Sequence, residues 1–248
     1  MGSHIVLLIK IFDKEEYADA FINNGEMYCR TIGDFKSIDD EGIRGDAFEG
    51  ATDWHQPDKI SMAISYSDNG GVKHSVTLSD LAGPVIMQSS GYDRLNVYCM
   101  YAVKIPAFEA SYDTEEERVS FVEGINTMLK EKLRLDDEIY SLGHFSVVIF
   151  HVSDFILKVE DAARAKSYDC WNSPVEYFYA ETFHGSFKGL KAIFRKRNTY
   201  EHQSEYRFVF GSNEPEGHKT IHLGSLNRIA FKVPTKNINE SVQLKLDA

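Results

Sequence analysis

No apolar run among the 248 residues approaches the ~18 that a membrane-spanning helix needs. Residues 5–11 are apolar apart from Lys10, but that is strand length. Cysteine is scarce: Cys29, Cys99 and Cys170 stand far apart, with no CxxC pair. An odd, dispersed set argues against a disulfide framework and against a structural zinc site. Their apolar and aromatic neighbours Tyr28, Tyr98, Met100 and Trp171 mark them as buried thiols, and the expected compartment is reducing and cytoplasmic. GxxxxGK, GxSxG and HExxH are all missing, which disfavours P-loop, hydrolase-elbow and zincin chemistry. His55, His144, His151 and His184 are scattered, so no metal site is expected. Net positive charge is also lacking. With 27 Lys+Arg against 38 Asp+Glu the chain carries -11, a field that repels a phosphate backbone and excludes bulk nucleic-acid binding. One dense basic run, Lys188, Lys191, Arg195, Lys196 and Arg197, can still hold a single nucleotide or form a solvated helix face.

Aromatics, in contrast, are plentiful, with 16 Phe and 13 Tyr, a bias that favours pleated, half-buried surfaces. Met1 to His4 reads as a cloning remnant, and 5–248 as one domain with no convincing linker. Residues 5–12 predict a first buried strand. A helix over 14–22 follows, capped by Asp13 and stopped at Asn23-Asn24-Gly25, and 26–30 is a second strand. Residues 31–59, rich in acids and glycine, predict a long loop or set of turns. Strands over 61–66 and 72–78 flank Asp68-Asn69-Gly70-Gly71, a hairpin signal. Further strands are expected over 84–87 and 95–103, with a turn at 91–93 between them. A helix is expected over 115–134 behind Thr114-Glu115-Glu116-Glu117, then a strand over 145–150. A helix capped by Ser153 or Asp154 runs to Lys166; 175–181 is a strand and 186–197 a helix. The last strands are expected over 205–210, 219–223, 228–233 and 242–246. The fold class is α+β, a mostly antiparallel or mixed curved sheet with three to four helices.

Two polar constellations stand out. In Arg44-Gly45-Asp46-Ala47-Phe48-Glu49-Gly50, Asp46 and Glu49 can hold Arg44, or Arg44 can meet an anionic ligand bidentately. A turn closed by local ion pairs is the plainer reading. In His202-Gln203-Ser204-Glu205-Tyr206-Arg207-Phe208-Val209-Phe210, strand alternation puts Glu205, Arg207 and Val209 on one face, opposite Tyr206, Phe208 and Phe210. If the aromatic face is buried, Glu205 and Arg207 point into a cleft or form an ordinary exposed ion pair. A carboxylate fixed at a strand start can steady positive charge developing on a sugar.

Gln203-Ser204-Glu205 before an apolar strand resembles the Gln-x-Glu element of ADP-ribosyltransferases. Residues 25–28, 46–49 and 205–207 also resemble three motifs of a bacterial family of uncharacterised domains: a Gly-Lys/Glu-Leu-Trp/Tyr strand, an Asp-x-Phe-Glu loop and a Glu-x-Arg strand. The first resemblance implies a nucleotide-using enzyme with NAD as substrate. Glu205 would be the key carboxylate, and Gln203 would orient the acceptor. Lys10 or Arg30 would hold phosphate or ribose, Tyr28 or Tyr66 would stack on nicotinamide, and Arg44 and Arg207 would be further ligand contacts. The sequence departs from that family in having Ser65-Tyr66-Ser67 in place of a Ser-Thr-Ser triplet. Lys10 stands where Arg or His is expected, and Arg30 can take that role. Two rivals accompany this reading. One is a non-catalytic protein-binding factor in phage–bacterium conflict, its acidic surface and 31–59 loop meeting a basic protein target. The other is a metal-dependent nuclease holding Mg²⁺ on Asp46, Glu49 and Asp53.

Overall fold

A computed structural model describes residues 3–38, 45–78, 80–106 and 113–243. The chain opens with β1 (Ser3–Phe12), α1 (Glu15–Asn24) and β2 (Glu26–Thr31). Ser3 and His4 pair with Pro106 and Ile105, so the first strand begins inside the stretch that the sequence reading set aside. Lys14, not Asp13, occupies the N-cap of α1. Gly25 ends that helix at φ 62; a Cβ there would meet Gly224 O at 2.5 Å, so both the left-handed backbone and the close approach require glycine.

The expected loop over 31–59 is partly regular. α2 (Ile32–Ser37) starts at a capping box, Thr31 accepting from Asp34 N–H and Asp34 from Thr31 N–H, and β3 (Ala51–His55) follows. The hairpin forms as β4 (Met62–Ser67) and β5 (Lys73–Leu78). β6 (Val85–Gln88), the short α3 (Ser90–Asp93) in place of a turn, and β7 (Asn96–Pro106) come next. The amphipathic pattern after Thr114 gives α4 (Glu115–Lys132), with Thr114 Oγ1 accepting from Glu117 N–H. α5 (Asp137–Ser141), β8 (Phe145–Ile149) and α6 (Val152–Ala165) follow. His151 takes the N-cap of α6, and Ser153 and Asp154 lie inside the first turn, where Asp154 suits the helix dipole.

β9 (Asp169–Pro174) is a strand that the sequence does not signal. Its residues lack alternation and are extended because they pair along β13. The expected strand over 175–181 shrinks to β10 (Glu176–Phe178). The expected helix over 186–197 is instead β11 (Gly185–Ser186), a 3₁₀ turn at Gly189–Phe194, and β12 (Arg195–Arg197), which pairs in parallel with β10. Tertiary pairing here overrides the helical spacing of the basic residues. β13 (Glu205–Gly211), β14 (Lys219–His222) and β15 (Ala230–Pro234) fall where alternation predicts them. Of the strand expected over 242–246, residues 242–243 are not in a strand and the rest lie outside the described residues.

These elements make an α+β fold around open antiparallel sheets, with α1, α4 and α6 as its longer helices. The main sheet runs β14-β2-β7-β1-β8-β15, with β13 and β9 attached along the other edge of β7. Leu8, Phe21, Phe155 and Phe208 pack on the side of α1 and α6; Leu7, Ile9, Leu129 and Val148 pack on the side of α4. β1 is therefore buried on both faces along residues 7–9, as its apolar run up to Lys10 requires. No described helix is long and apolar enough to cross a membrane.

Candidate functional site

β7 organises the site. β13 pairs along one edge, from Phe210↔Asn96 to Glu205↔Tyr101. The opposite edge is shared: β1 pairs with it up to Ile9↔Tyr101, and β2 only at Arg30↔Val97 and Thr31↔Asn96. Between them β1 and β2 diverge, and Tyr98, Cys99 and Met100 have no strand partner on that side. The divergence opens a cleft of about 1010 Å³, lined by Lys10, Tyr28, Arg30, Glu49, Lys196, Gln203, Glu205 and Arg207 among others. Residues far apart in the sequence, from Lys10 to Arg207, thus meet in one concavity.

On the β13 wall the charges are paired. Register puts Glu205, Arg207 and Val209 on the face shared with Tyr101, Cys99 and Val97. Arg207 Nε donates to Glu205 Oε1 at 2.6 Å and Nη1 to Glu49 Oε1 at 2.6 Å, with a further bond to Ile193 O. Lys196 Nζ donates to Gln203 Oε1 at 2.8 Å and lies 3.4 Å from Glu205 Oε2 and 3.6 Å from Glu49 Oε2. All four charged residues are at most 4% exposed, so two carboxylates and two cations neutralise each other in the interior. Burial by itself would raise the Glu205 carboxyl; Arg207 and Lys196 more than reverse that and hold it well below the carboxylate range. Burial likewise opposes the Lys196 ammonium, and Glu205 and Glu49 push it above its ordinary value.

Local structure sets this wall. Ser204 adopts a left-handed backbone (φ 38), donates from Oγ to Ala102 O at 2.7 Å, and turns the 3₁₀ segment Asn198–Gln203 into β13. Gln203 and Glu205 then both face Lys196. Next to the network, Arg197 Nη2 donates to Asp46 Oδ1 at 2.8 Å, Asp46 also accepts from Phe48 N–H, and Tyr200 Oη donates to Gly45 O.

The opposite wall is different. Lys10 Nζ donates to Cys99 O at 2.8 Å and sits 4.4 Å from the Tyr98 ring centroid. Burial pushes this ammonium below the usual lysine range. Burial also pushes the Cys99 thiol up to about 12, so Cys99 is a neutral thiol at physiological pH. The Arg30 side chain is exposed, and among the described residues it makes no hydrogen bond or ion pair. Tyr28 is 52% exposed, with its ring centroid 4.8 Å from that of His218.

The sequence expectations divide accordingly. Lys10, Tyr28, Arg30, Gln203, Glu205 and Arg207 come together at the cleft, joined by Glu49 and Lys196. Tyr66 does not: it lies on the exposed β4–β5 hairpin, stacked on His74. Arg44 lies outside the described residues; among the described residues Asp46 pairs with Arg197, and Glu49 with Arg207 and Lys196. Glu205 and Arg207 are a buried pair and not an exposed one. Of the three acids considered for Mg²⁺, Asp46 and Glu49 are engaged by separate arginines, while Asp53 accepts from Ser186 Oγ at 2.5 Å. Among the described residues no three His, Cys, Asp or Glu side chains gather as a metal site. Lys196 appears in sequence only as one member of a basic run, and no local signal marks its burial.

No protein-family model, curated protein or solved structure matches the chain.

Proposed function

We propose that this chain is a nucleotide-using enzyme resembling ADP-ribosyltransferases, with NAD as its substrate. One observation carries the reading: Lys10 and Arg30 of the amino-terminal strands line the same cleft as Glu205. Its volume, about 1010 Å³, is at the upper end of small-molecule sites, as a dinucleotide needs. Arg30 and Lys10 bind the pyrophosphate, and Tyr28 stacks on a ring at the cleft wall. Breaking the ribose–nicotinamide bond leaves positive charge on the sugar, and Glu205, kept ionised by Arg207 and Lys196, stabilises it. Gln203 orients the acceptor.

Calorimetric titration with NAD and a turnover assay test this. Arg30→Ala and Lys10→Ala are expected to weaken NAD binding ~10-fold each, as loss of a charge-assisted contact does. Glu205→Gln is expected to lower turnover ~10²-fold while leaving binding in place. Circular dichroism guards against misfolding of this buried variant. No NAD binding at millimolar concentration, or turnover untouched by Glu205→Gln, would refute the reading.

A further inference from the structure

The β4–β5 hairpin is the least integrated part of the described chain. Its strands pair only with each other, from Met62↔Leu78 to Ser67↔Lys73, and none of their twelve residues is buried. Its two faces differ in chemistry. Strand alternation puts Met62, Ile64, Tyr66, His74, Val76 and Leu78 on one side, and alanine, serine, threonine and lysine on the other. On the apolar side Met62 is 42%, Ile64 54%, Tyr66 53% and Val76 51% exposed. Those four side chains leave roughly 400 Å² of mainly apolar surface in water, within the range of the largest patch on a typical monomer. A two-stranded hairpin is only marginally stable alone, so such a face gains from a second layer.

We infer that the second layer is the same hairpin of another copy of this chain, packed face to face about a two-fold axis. The chemistry of the face selects that occupant. Each chain carries -11, so most surfaces of two copies repel. Residues 61–78 contain one carboxylate, Asp68, and it is engaged by His74 Nε2 at 2.9 Å and by the N–H groups of Gly70 and Val72. The hairpin therefore offers a nearly neutral surface on an acidic molecule. The face is also self-complementary: with Ile64 and Val76 central, a two-fold axis sets each apolar end against the other, and one hairpin per chain closes the assembly at two. Sheets stacked this way lie about 10 Å apart. Roughly 400 Å² per partner is about half the share in a standard interface, so the dimer belongs to the weak, micromolar class.

Sedimentation equilibrium of the full chain, from low micromolar to several hundred micromolar, tests the inference. A monomer–dimer equilibrium is expected, tightening with added salt because the two acidic bodies repel less when screened. Ile64→Asp is expected to weaken association on the order of 100-fold by placing a charge in the apolar centre. Ser65→Lys, on the opposite face, is expected to leave it unchanged. A monomer at every concentration overturns the inference, as does a dimer insensitive to Ile64→Asp. Monomeric chain that instead floats with lipid vesicles through this face assigns it to a membrane surface and overturns it as well.

Discussion

Two walls of one cleft hold cations in opposite ways. On the β13 wall, Arg207 and Lys196 meet Glu49 and Glu205 at distances down to 2.6 Å, with almost no exposure. On the β1–β2 wall, Lys10 has a carbonyl and a ring for partners, and Arg30 has no side-chain partner among the described residues. A buried charge must be neutralised where it stands, so the first set fixes shape and holds Glu205 ionised. A charge left without a counter-ion in a cleft is free to meet a ligand anion. Removing a charge from the first set is expected to damage the fold, and removing one from the second to damage binding.

The largest effect is expected at Glu49. Glu49→Ala leaves Arg207 and Lys196 facing Glu205 alone and is expected to cost about 3–5 kcal/mol in urea denaturation. A loss under about 1 kcal/mol would mean that this wall is not held by its charges. Acid is the next lever. Glu205 has its carboxyl lowered from the usual 4.5, so its contribution is present above that pH and is lost as pH falls through the lower folded value. Lys196 is raised above 10.5, so its contribution is present below that pH and is lost as pH rises through the higher folded value. Denaturation midpoints are expected to drop at both extremes, with the acid limb flattened in Glu205→Gln. Arg30→Ala acts on the opposite wall. Folding stability is expected to stay within about 0.5 kcal/mol of the parent, as for an exposed residue, while the ~10-fold loss in NAD affinity remains. The smallest effect belongs to Tyr66→Ala: outside the cleft, it is expected to leave NAD affinity unchanged in the same titration.

Much of the architecture is legible in the chain. The apolar run of β1, the Asn69-Gly70-Gly71 turn of the hairpin, the spacing of α4 and the alternation of β13 each carry a local cause that tertiary packing did not overrule. β9 and β12 were not legible, because both are extended through pairing with β13 and β10 and not through their own side chains. The site was half legible. Alternation places Glu205 and Arg207 on one face, but nothing in either segment says that this face is covered. Asp46 and Glu49 read as partners of Arg44 because neighbours in sequence are the first candidates for ion pairs. Among the described residues, Asp46 bonds Arg197, 151 residues away, and Glu49 bonds Arg207, 158 residues away.

Periodicity and turn chemistry acting over a few residues were enough to place β1, the β4–β5 hairpin, β13 and the longer helices α1, α4 and α6. Only the tertiary structure decided which charges cancel and which stay open. That depends on two strands parting from β7 after Ile9 and before Arg30, and on burial, which makes distant carboxylates and cations seek each other in a medium that does not solvate them.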